Sequence, residues 1–432
     1  MSESEIAEGW QKLSLGDLGD FSTSSVDKKW APLETPVKLV NYMDVYRHDT
    51  IDRRLRLMDV TATRAESLRS QVCVGDVLFT PSSETPDDIG HSAVVTEVLT
   101  DILHSYHTVR LRPRDLSPLD VRFLGRMANH PSTLRHFRER ATGSTRYTLS
   151  LGDFRSAPIF LPPLPEQRRI AKILDTVDEA IQRTEELIAK LEETKNGLLH
   201  DLLTRGIDEN GELRDPERNP EQFKDSALGR IPSDWSVSSV SEVGDVCTGT
   251  TPSTANSNNY GGSILFVTPG DMGKARWVDA TEKTLSLTGA RSAKLLPPKA
   301  VLVTAIGVLG RVGQLREKGA TNQQIHAIVP QDGMKEEFVF YAATVLGPQM
   351  ERAAGRQVIP IVNKSRFQRL WMPRPSGPEQ DRICVLLEAA SDRIAREHRV
   401  RSKLSTLKQG LMNDLLTGRV RVSVPEPEEA TA

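Results

Sequence analysis

This chain contains a copy of itself, and that constrains its folding more than any other feature. Pro165-Glu-Gln-Arg-Arg-Ile-Ala-Lys-Ile-Leu174 returns 213 residues later as Pro378-Glu-Gln-Asp-Arg-Ile-Cys-Val-Leu-Leu387. The match runs without a gap to Gly197-Leu-Leu-His-Asp-Leu-Leu-Thr204 against Gly410-Leu-Met-Asn-Asp-Leu-Leu-Thr417. Fainter echoes precede each copy. Trp10 with Gly19-Asp20 answers Trp235 with Gly244-Asp245, Val77–Thr80 answers Val301–Thr304, and Phe154 answers Phe367. The offset drifts from 225 to 213, as loops gain and lose residues between fixed elements. The chain therefore reads as domain, helix, domain, helix, with a repeat far too long for a solenoid.

Residues 165–203 predict one long helix. Ile170, Leu174, Val177, Ile181, Leu187 or Ile188, Leu191, Leu198 and Leu202 recur at three and four residues, the period of a helical seam. Pro165 and Glu166 suit the first turn, and Gly206 suits a left-handed cap. The second copy carries Ile383, Leu387, Ala390, Ile394, Val400, Leu404, Leu407, Leu411 and Leu415, and ends at Gly418. At about 1.5 Å per residue such a helix is on the order of 58 Å long. Its apolar stripe needs a partner. One solution is the other copy, packed antiparallel about a pseudo-two-fold axis, with Gly197 and Gly410 allowing close approach. The other is a coiled coil between two copies of the chain. The expected packing set is Ile170, Leu174, Val177, Ile181, Leu191, Leu198, Ile383, Leu387, Ile394, Leu404 and Leu411.

The globular parts mix strand-like runs with turns. Val72–Thr80, Ser92–Leu99 and Thr108–Leu111 predict strands in the first, and Ile264–Thr268, Ala300–Ile306 and Ala327–Val329 in the second. Short helices are expected near Ser117–Asn129 and Glu336–Arg352, and turns at Gly75-Asp76, Gly261-Gly262 and Pro269-Gly270. The fold class is α+β: two similar globular domains joined by two long antiparallel coiled-coil helices. The expected bounds are 1–160 and 231–375 for the domains and 161–207 and 376–418 for the helices. A linker is expected at 208–230 and a flexible acidic tail at 419–432.

Charge enters through its distribution. The formal net charge is −2, which carries no whole-chain signature of nucleic acid or membrane binding. Residues 231–377 nevertheless hold 16 Lys/Arg against 11 Asp/Glu, and 104–155 hold 10 against 4, while 165–230 hold 11 against 16. Basic zones at matching places in a duplicated chain are harder to attribute to chance than either alone. Uncharged polar loops accompany them: 80–88, His104-Ser-Tyr-His107, 250–260 and Asn322-Gln-Gln324. Asn and Gln pair bidentately with adenine and Ser/Thr hydroxyls with either base type, although the same residues are ordinary turn formers.

No catalytic motif is found. There is no P-loop, since Gly270-Asp-Met-Gly273-Lys has the wrong spacing, and Gly307-Val-Leu-Gly310 is no dinucleotide fingerprint. Three scattered cysteines and nine histidines form no zinc pattern, so no metal site is expected. The N-terminus lacks the apolar run of a secretion signal, and the longest nearly apolar run, Ala300–Gly310, is too short to cross a bilayer. A cytoplasmic chain is expected.

These features resemble the DNA-specificity subunit of type I restriction–modification systems. The resemblance rests on Leu161-Pro-Pro-Leu-Pro-Glu-Gln167 opening a long helix and on the helix end at Thr204. It rests also on the passage Arg205-Gly-Ile-Asp to Leu228-Gly-Arg-Ile-Pro-Ser-Asp-Trp235 and on Thr321-Asn-Gln-Gln324. Arg374-Pro-Ser-Gly-Pro378 departs from it, where a Pro-Pro-rich approach is expected. The resemblance implies a chain without catalysis and without its own cofactor, each domain reading half of a split double-stranded DNA target. The helices then set the unread spacer. Two copies of an adenine methyltransferase subunit using S-adenosylmethionine dock on them, and a motor–nuclease subunit using ATP and Mg joins for cleavage. The DNA-contacting candidates are Asn41, Tyr42, Arg47, Ser82, Ser83, Thr85, His104, His107, Arg110, Arg112 and Arg146 in the first domain. In the second they are Ser253, Asn256, Asn258, Asn259, Tyr260, Lys274, Arg276, Arg311, Asn322, Gln323 and Gln324. The competing readings are a duplicated coiled-coil scaffold that touches no DNA, and a nuclease or methyltransferase in its own right.

Overall fold

The computed structural model describes residues 7–273, 275–355 and 358–423. The chain divides into two compact units whose boundaries fall inside two long helices, between Glu185 and Glu186 and between His398 and Arg399.

Each unit is built on the same plan. In the first, a five-stranded sheet runs in the order Gly19–Thr23, Val109–Pro113, Val77–Phe79, Ser92–Val95, Thr50–Ile51. In the second, the order is Gly244–Thr248, Ile325–Pro330, Val301–Thr304, Val312–Leu315, Trp277–Val278. A second, smaller sheet follows in both: Met58–Ala62, Thr35–Val40, Ile102–His104 in the first unit, and Lys283–Leu285, Tyr260–Val267, Gly319–Thr321, Leu295–Leu296 in the second. The central strands are buried on both faces, which is why Val77-Leu-Phe79 and Val301-Leu-Val303 read as unbroken apolar runs.

Several expected elements differ. Val72–Thr80 is only Val77–Phe79 as a strand, because Gly75 (φ +87°) turns the chain and the Asp76 carboxylate accepts the Cys73 N–H at 2.7 Å. Gly261-Gly262 does not reverse the chain. Gly261 (φ +81°) lies inside Tyr260–Val267, where the register shifts between Tyr260 and Ile264. The single helix expected over Glu336–Arg352 is two, Glu336–Ala343 and Leu346–Ala354. Pro348 explains the break, since in a continuous helix its ring would meet the carbonyl of residue 344. In the first unit, Val121–Ala128 is followed by a helix the sequence did not announce, Pro131–Arg140. The linker carries a hairpin, Phe223–Ser226 with Gly229–Pro232.

The long helices are Leu164–Thr204 and Gly377–Leu415. Both are capped by left-handed glycines, Gly206 (φ +64°) and Gly418 (φ +69°). In the first unit Ile170 and Leu174 share a core with Leu415 and Leu416, with Leu411 packed against it, and Asp178 pairs with Lys408 at 2.7 Å. In the second, Leu202 and Leu203 share a core with Ile383 and Leu387, with Leu198 against it, and Glu192 faces His398 at 3.7 Å. Within each unit, rising numbers on one helix segment meet falling numbers on the other. Each fully buried Leu or Ile contributes about 1.5–3 kcal/mol. Val177, Ile181, Leu191, Ile394 and Leu404 are half-buried. Val400 and Leu407 are exposed, and at the open choice Ile188 is buried while Leu187 is not. A Cβ at Gly197 or Gly410 would meet nothing within 4 Å, so neither glycine serves a close approach.

The repeated Pro-Glu-Gln has a structural reason. In the first unit, Glu166 accepts the Trp10 indole N–H at 3.2 Å and is clasped by the Arg421 guanidinium at 2.8 and 2.9 Å. In the second, Glu379 accepts the Trp235 indole N–H at 2.9 Å, the Ile207 amide at 2.9 Å and Arg214 at 2.6 Å. The neighbouring glutamines tie the helix starts to their domains: Gln167 to the Pro118 and Pro162 carbonyls, Gln380 to those of Gly333 and Pro375. The tail expected to be flexible from residue 419 is thus held at Arg421, and residues 424–432 lie outside the described residues.

Candidate nucleic-acid interface

The loops expected to meet DNA follow strands of both sheets: Val77–Phe79 and Gly244–Thr248 in the larger, Ile102–His104 and Gly319–Thr321 in the smaller. In the first unit, the Ser105 amide bonds the Val40 carbonyl at 3.0 Å and the Tyr106 amide bonds that of Val26 at 3.1 Å, which joins three loops. The Tyr42 hydroxyl donates to the Ser82 carbonyl at 2.9 Å, and Arg146 donates to the Ser82 hydroxyl at 3.2 and 3.1 Å. Tyr106 lies against His107 with ring centroids 3.8 Å apart. Partial burial, then Lys28 and Arg146, hold His107 below its ordinary value. Tyr42, Ser82, His107 and Arg146 therefore come together. Tyr106, from the loop 104–107 already named, and Lys28 join them; Lys28 was not singled out from sequence, although Lys28-Lys29-Trp30 is a basic–aromatic run. Arg47 and Thr85 are exposed on flanking segments, and Asn41 precedes the helix Tyr42–Arg47, its amide N–H capped by Asp44 at 2.7 Å.

Other expected contacts are spent inside the domain. His104 is fully buried with Nδ1 3.0 Å from the Thr108 hydroxyl, and Ser83 is buried in the short pairing with Tyr147. Arg110 is buried and donates to the Gln71 carbonyl at 2.8 Å. Arg112 forks onto buried Asp76 at 2.8 and 2.6 Å. His104, Ser83 and Arg110 are thus buried within the domain, while Arg112 has its guanidinium on Asp76 and keeps its side chain 40% exposed.

Burial, followed by Arg110 and Arg112, pushes His104 down to about 3 from its ordinary 6.5. The unfolded chain therefore binds a proton that the folded chain refuses. The stability conferred by the neutral imidazole is complete above pH 6.5 and is lost as pH falls from 6.5 towards 3. At pH 5 the loss is about 2 kcal/mol. Denaturant unfolding of the chain at pH 7.5 and pH 5 should show this slope, and His104→Asn should reduce it; an unchanged slope would refute the assignment.

In the second unit the Thr250 amide bonds the Thr321 carbonyl at 3.0 Å, Thr251 bonds Gln323, and the Asn322 amide bonds the Val267 carbonyl at 3.0 Å. Asn322 and Gln324 brace each other at 2.9 Å, which leaves Gln323 exposed. Ser253, Asn256 and Asn258 are exposed. Asn259 is buried and bonds the Ser253 carbonyl at 2.9 Å, and the Tyr260 hydroxyl is taken by the Pro252 carbonyl at 2.7 Å, so both shape the loop. Arg276 is also engaged: it pairs with Glu388 at 2.7 Å and lies over Trp277 at 4.6 Å and Phe340 at 5.1 Å. In the first unit Arg126 reaches Asp175, the counterpart of Glu388 at the 213-residue offset, at 3.1 Å. Each pair fastens a domain to its own long helix. Arg311 is occupied by the Pro269 and Met272 carbonyls. Lys274 lies outside the described residues.

Among the described residues no group of three or more His, Cys, Asp or Glu could hold a metal ion, and no helix is long and apolar enough to cross a membrane.

A family model described as the type I restriction modification DNA specificity domain matches residues 72–193 and again 232–406. A relative from Methanocaldococcus jannaschii, named as a putative type I restriction enzyme MjaX specificity subunit, is 25% identical over 429 residues, covering 97% of this chain and 95% of its own length. The type I restriction enzyme HindI specificity subunit of Haemophilus influenzae is 30% identical over 153 residues, 34% of this chain and 33% of that one. A solved structure from work on complex assembly and conformational transition of the type I R-M system matches with TM-score 0.58 at 18% identity, covering 96% and 99% of the two chains. The type I S subunit from M. genitalium matches with TM-score 0.52 at 14% identity, over 96% and 98%. At those identities the structures are alike in fold, which mixes helix and sheet in a two-domain repeat.

Proposed function

The chain belongs to the type I restriction–modification DNA specificity family, and from that premise we propose that its two units each hold one half of a split duplex target while the long helices set the distance between them. It is the DNA-recognition subunit of such a system, not a catalytic one. DNA and a methyltransferase are its partners. In our reading two methyltransferase subunits dock on an antiparallel coiled-coil pair formed by the helices, and bring S-adenosylmethionine with them. A motor–nuclease subunit brings ATP and Mg, and the assembly works in the cytoplasm.

The observation that carries the reading is that each unit repeats the same set of parts. Sheet order, the Trp-Glu-Arg lock and the positions of the loops recur, which is the duplication that two modules each holding half of a split target require. Half-sites read by two similar modules are separated by a distance the protein fixes. Arg146, Arg47 and Lys28 would set position on phosphates, and Ser82, Tyr42 and Gln323 are candidates for base edges.

Methylation mapping of the host genome with and without the chain tests this directly. The expected result is a split motif that vanishes on deletion. Replacing residues 1–150 by the domain of another specificity subunit should change one half-site and leave the other and the spacer intact. If both halves change, the domains are not independent readers. If no split motif depends on the chain, the scaffold reading replaces this one.

A further inference from the structure

The segment entering the short helix Lys364–Gln368 differs in chemistry between the units but not in position. Leu149 donates its amide to the Pro81 carbonyl at 2.9 Å, and Val362, 213 residues on, donates to that of Ala305 at 3.0 Å. Thr148 pairs with Ser82, and Ile361 bridges Ile306. The register makes Val358, Ile359 and Ile361 the counterparts of Thr145, Arg146 and Thr148. The first unit thus presents an exposed arginine with two threonines where the second presents Val358 at 103% exposure, Ile359 at 59% and Ile361 at 42%.

Val308 extends this surface. It is 59% exposed at the tip of the turn after Val301–Thr304, and the adjoining Gly307 amide bonds the Pro360 carbonyl at 3.0 Å. The Ala305 amide bonds the Gln324 carbonyl at 2.8 Å, so the apolar edge is continuous with the loop that presents Gln323. Four large aliphatic side chains held in water beside amide-bearing loops cost solubility without adding to a core. Their counterpart Arg146 is one of the residues that the proposed function sets against DNA, and the edge adjoins the loop of Gln323, so duplex DNA is the occupant both positions favour. In a major groove the apolar feature a side chain can distinguish is the thymine C5-methyl group.

We propose that Val308, Ile359 and Ile361 read thymine methyl groups in the half-site of the second domain, so that the two domains read by different chemistry, one polar and cationic, the other in part apolar. The proposal rests on the bipartite DNA-recognition reading and deepens it.

The test uses the chain assembled with its methyltransferase subunits and the split target found by methylation mapping. Each thymine of both half-sites is replaced singly by deoxyuridine, which removes only the methyl group, and the duplexes compete for binding. At one or more positions of the second half-site, loss of the methyl should weaken binding about fourfold, the fold-change of one buried methyl. In Ile359→Ala and Ile361→Ala the thymine and deoxyuridine duplexes should bind alike at that position, while the first half-site responds as in the unaltered complex. A second half-site without thymine, or one indifferent to every replacement in the unaltered complex, overturns the proposal. So does a methyl effect that persists in both variants. If the variants instead lose methyltransferase binding or a concentration-dependent dimer while the methyl effect survives, the edge is a protein contact and the proposal fails. Failure of the underlying reading is separately visible, because the unaltered complex would then select no split sequence at all.

Discussion

Glu379→Ala should destabilise the second unit by about 4 kcal/mol, the cost of breaking a buried charge pair. The Glu379 side chain is 1% exposed and that of Arg214 11% exposed. Removing the carboxylate leaves the Trp235 indole N–H and the Ile207 amide unpaired away from water, and leaves the buried guanidinium, among the described residues, only the exposed Asp234 carboxylate at 3.1 Å as an ion partner. The matching substitution in the first unit, Glu166→Ala, should cost only about 2 kcal/mol, because Arg421 is 45% exposed and regains solvent. Chemical unfolding followed by tryptophan fluorescence, with Trp235 and Trp10 as reporters, measures both. Equal losses in the two variants would show that burial of the cation does not set the difference.

Inserting seven residues into both long helices should shift the preferred spacer and nearly abolish modification at the original one. Seven residues keep the apolar seam in phase, since the seam repeats with that period. They add about 10 Å to each helix. That is the length of about three base pairs at roughly 3.4 Å each. The half-sites themselves should stay the same, because no base-reading loop is altered. The check is methylation mapping of a host carrying the insertion variant: an unchanged spacer would end the ruler role.

The helices were legible because their evidence is local. Apolar spacing, Pro165 and Pro378 at the starts, and Gly206 and Gly418 at the ends all lie within the segment they describe, and the observed bounds agree within a residue or two of the repeat. The repeat also located the equivalent strands, because buried apolar runs such as Val77–Phe79 and Val301–Thr304 keep their composition and their order ahead of the following helix while the loops between change length. The candidate interface was less legible. Arg112 and Arg276 look like surface cations in sequence, and each is spent on a carboxylate far along the chain, Asp76 at 36 residues and Glu388 at 112. The exposed apolar edge was missed for the converse reason: a run such as Val358-Ile-Pro-Ile361 reads as core until its surroundings are known.

The sequence by itself determined that this protein is a duplication, that two long helices punctuate it, and that polar and basic loops recur between them. Periodicity and repetition are written along the chain and need no partner to be read. Only the tertiary structure decided which cations remain available and which aliphatic side chains face water. Those properties belong to neighbours brought together by folding, and no window of sequence contains them.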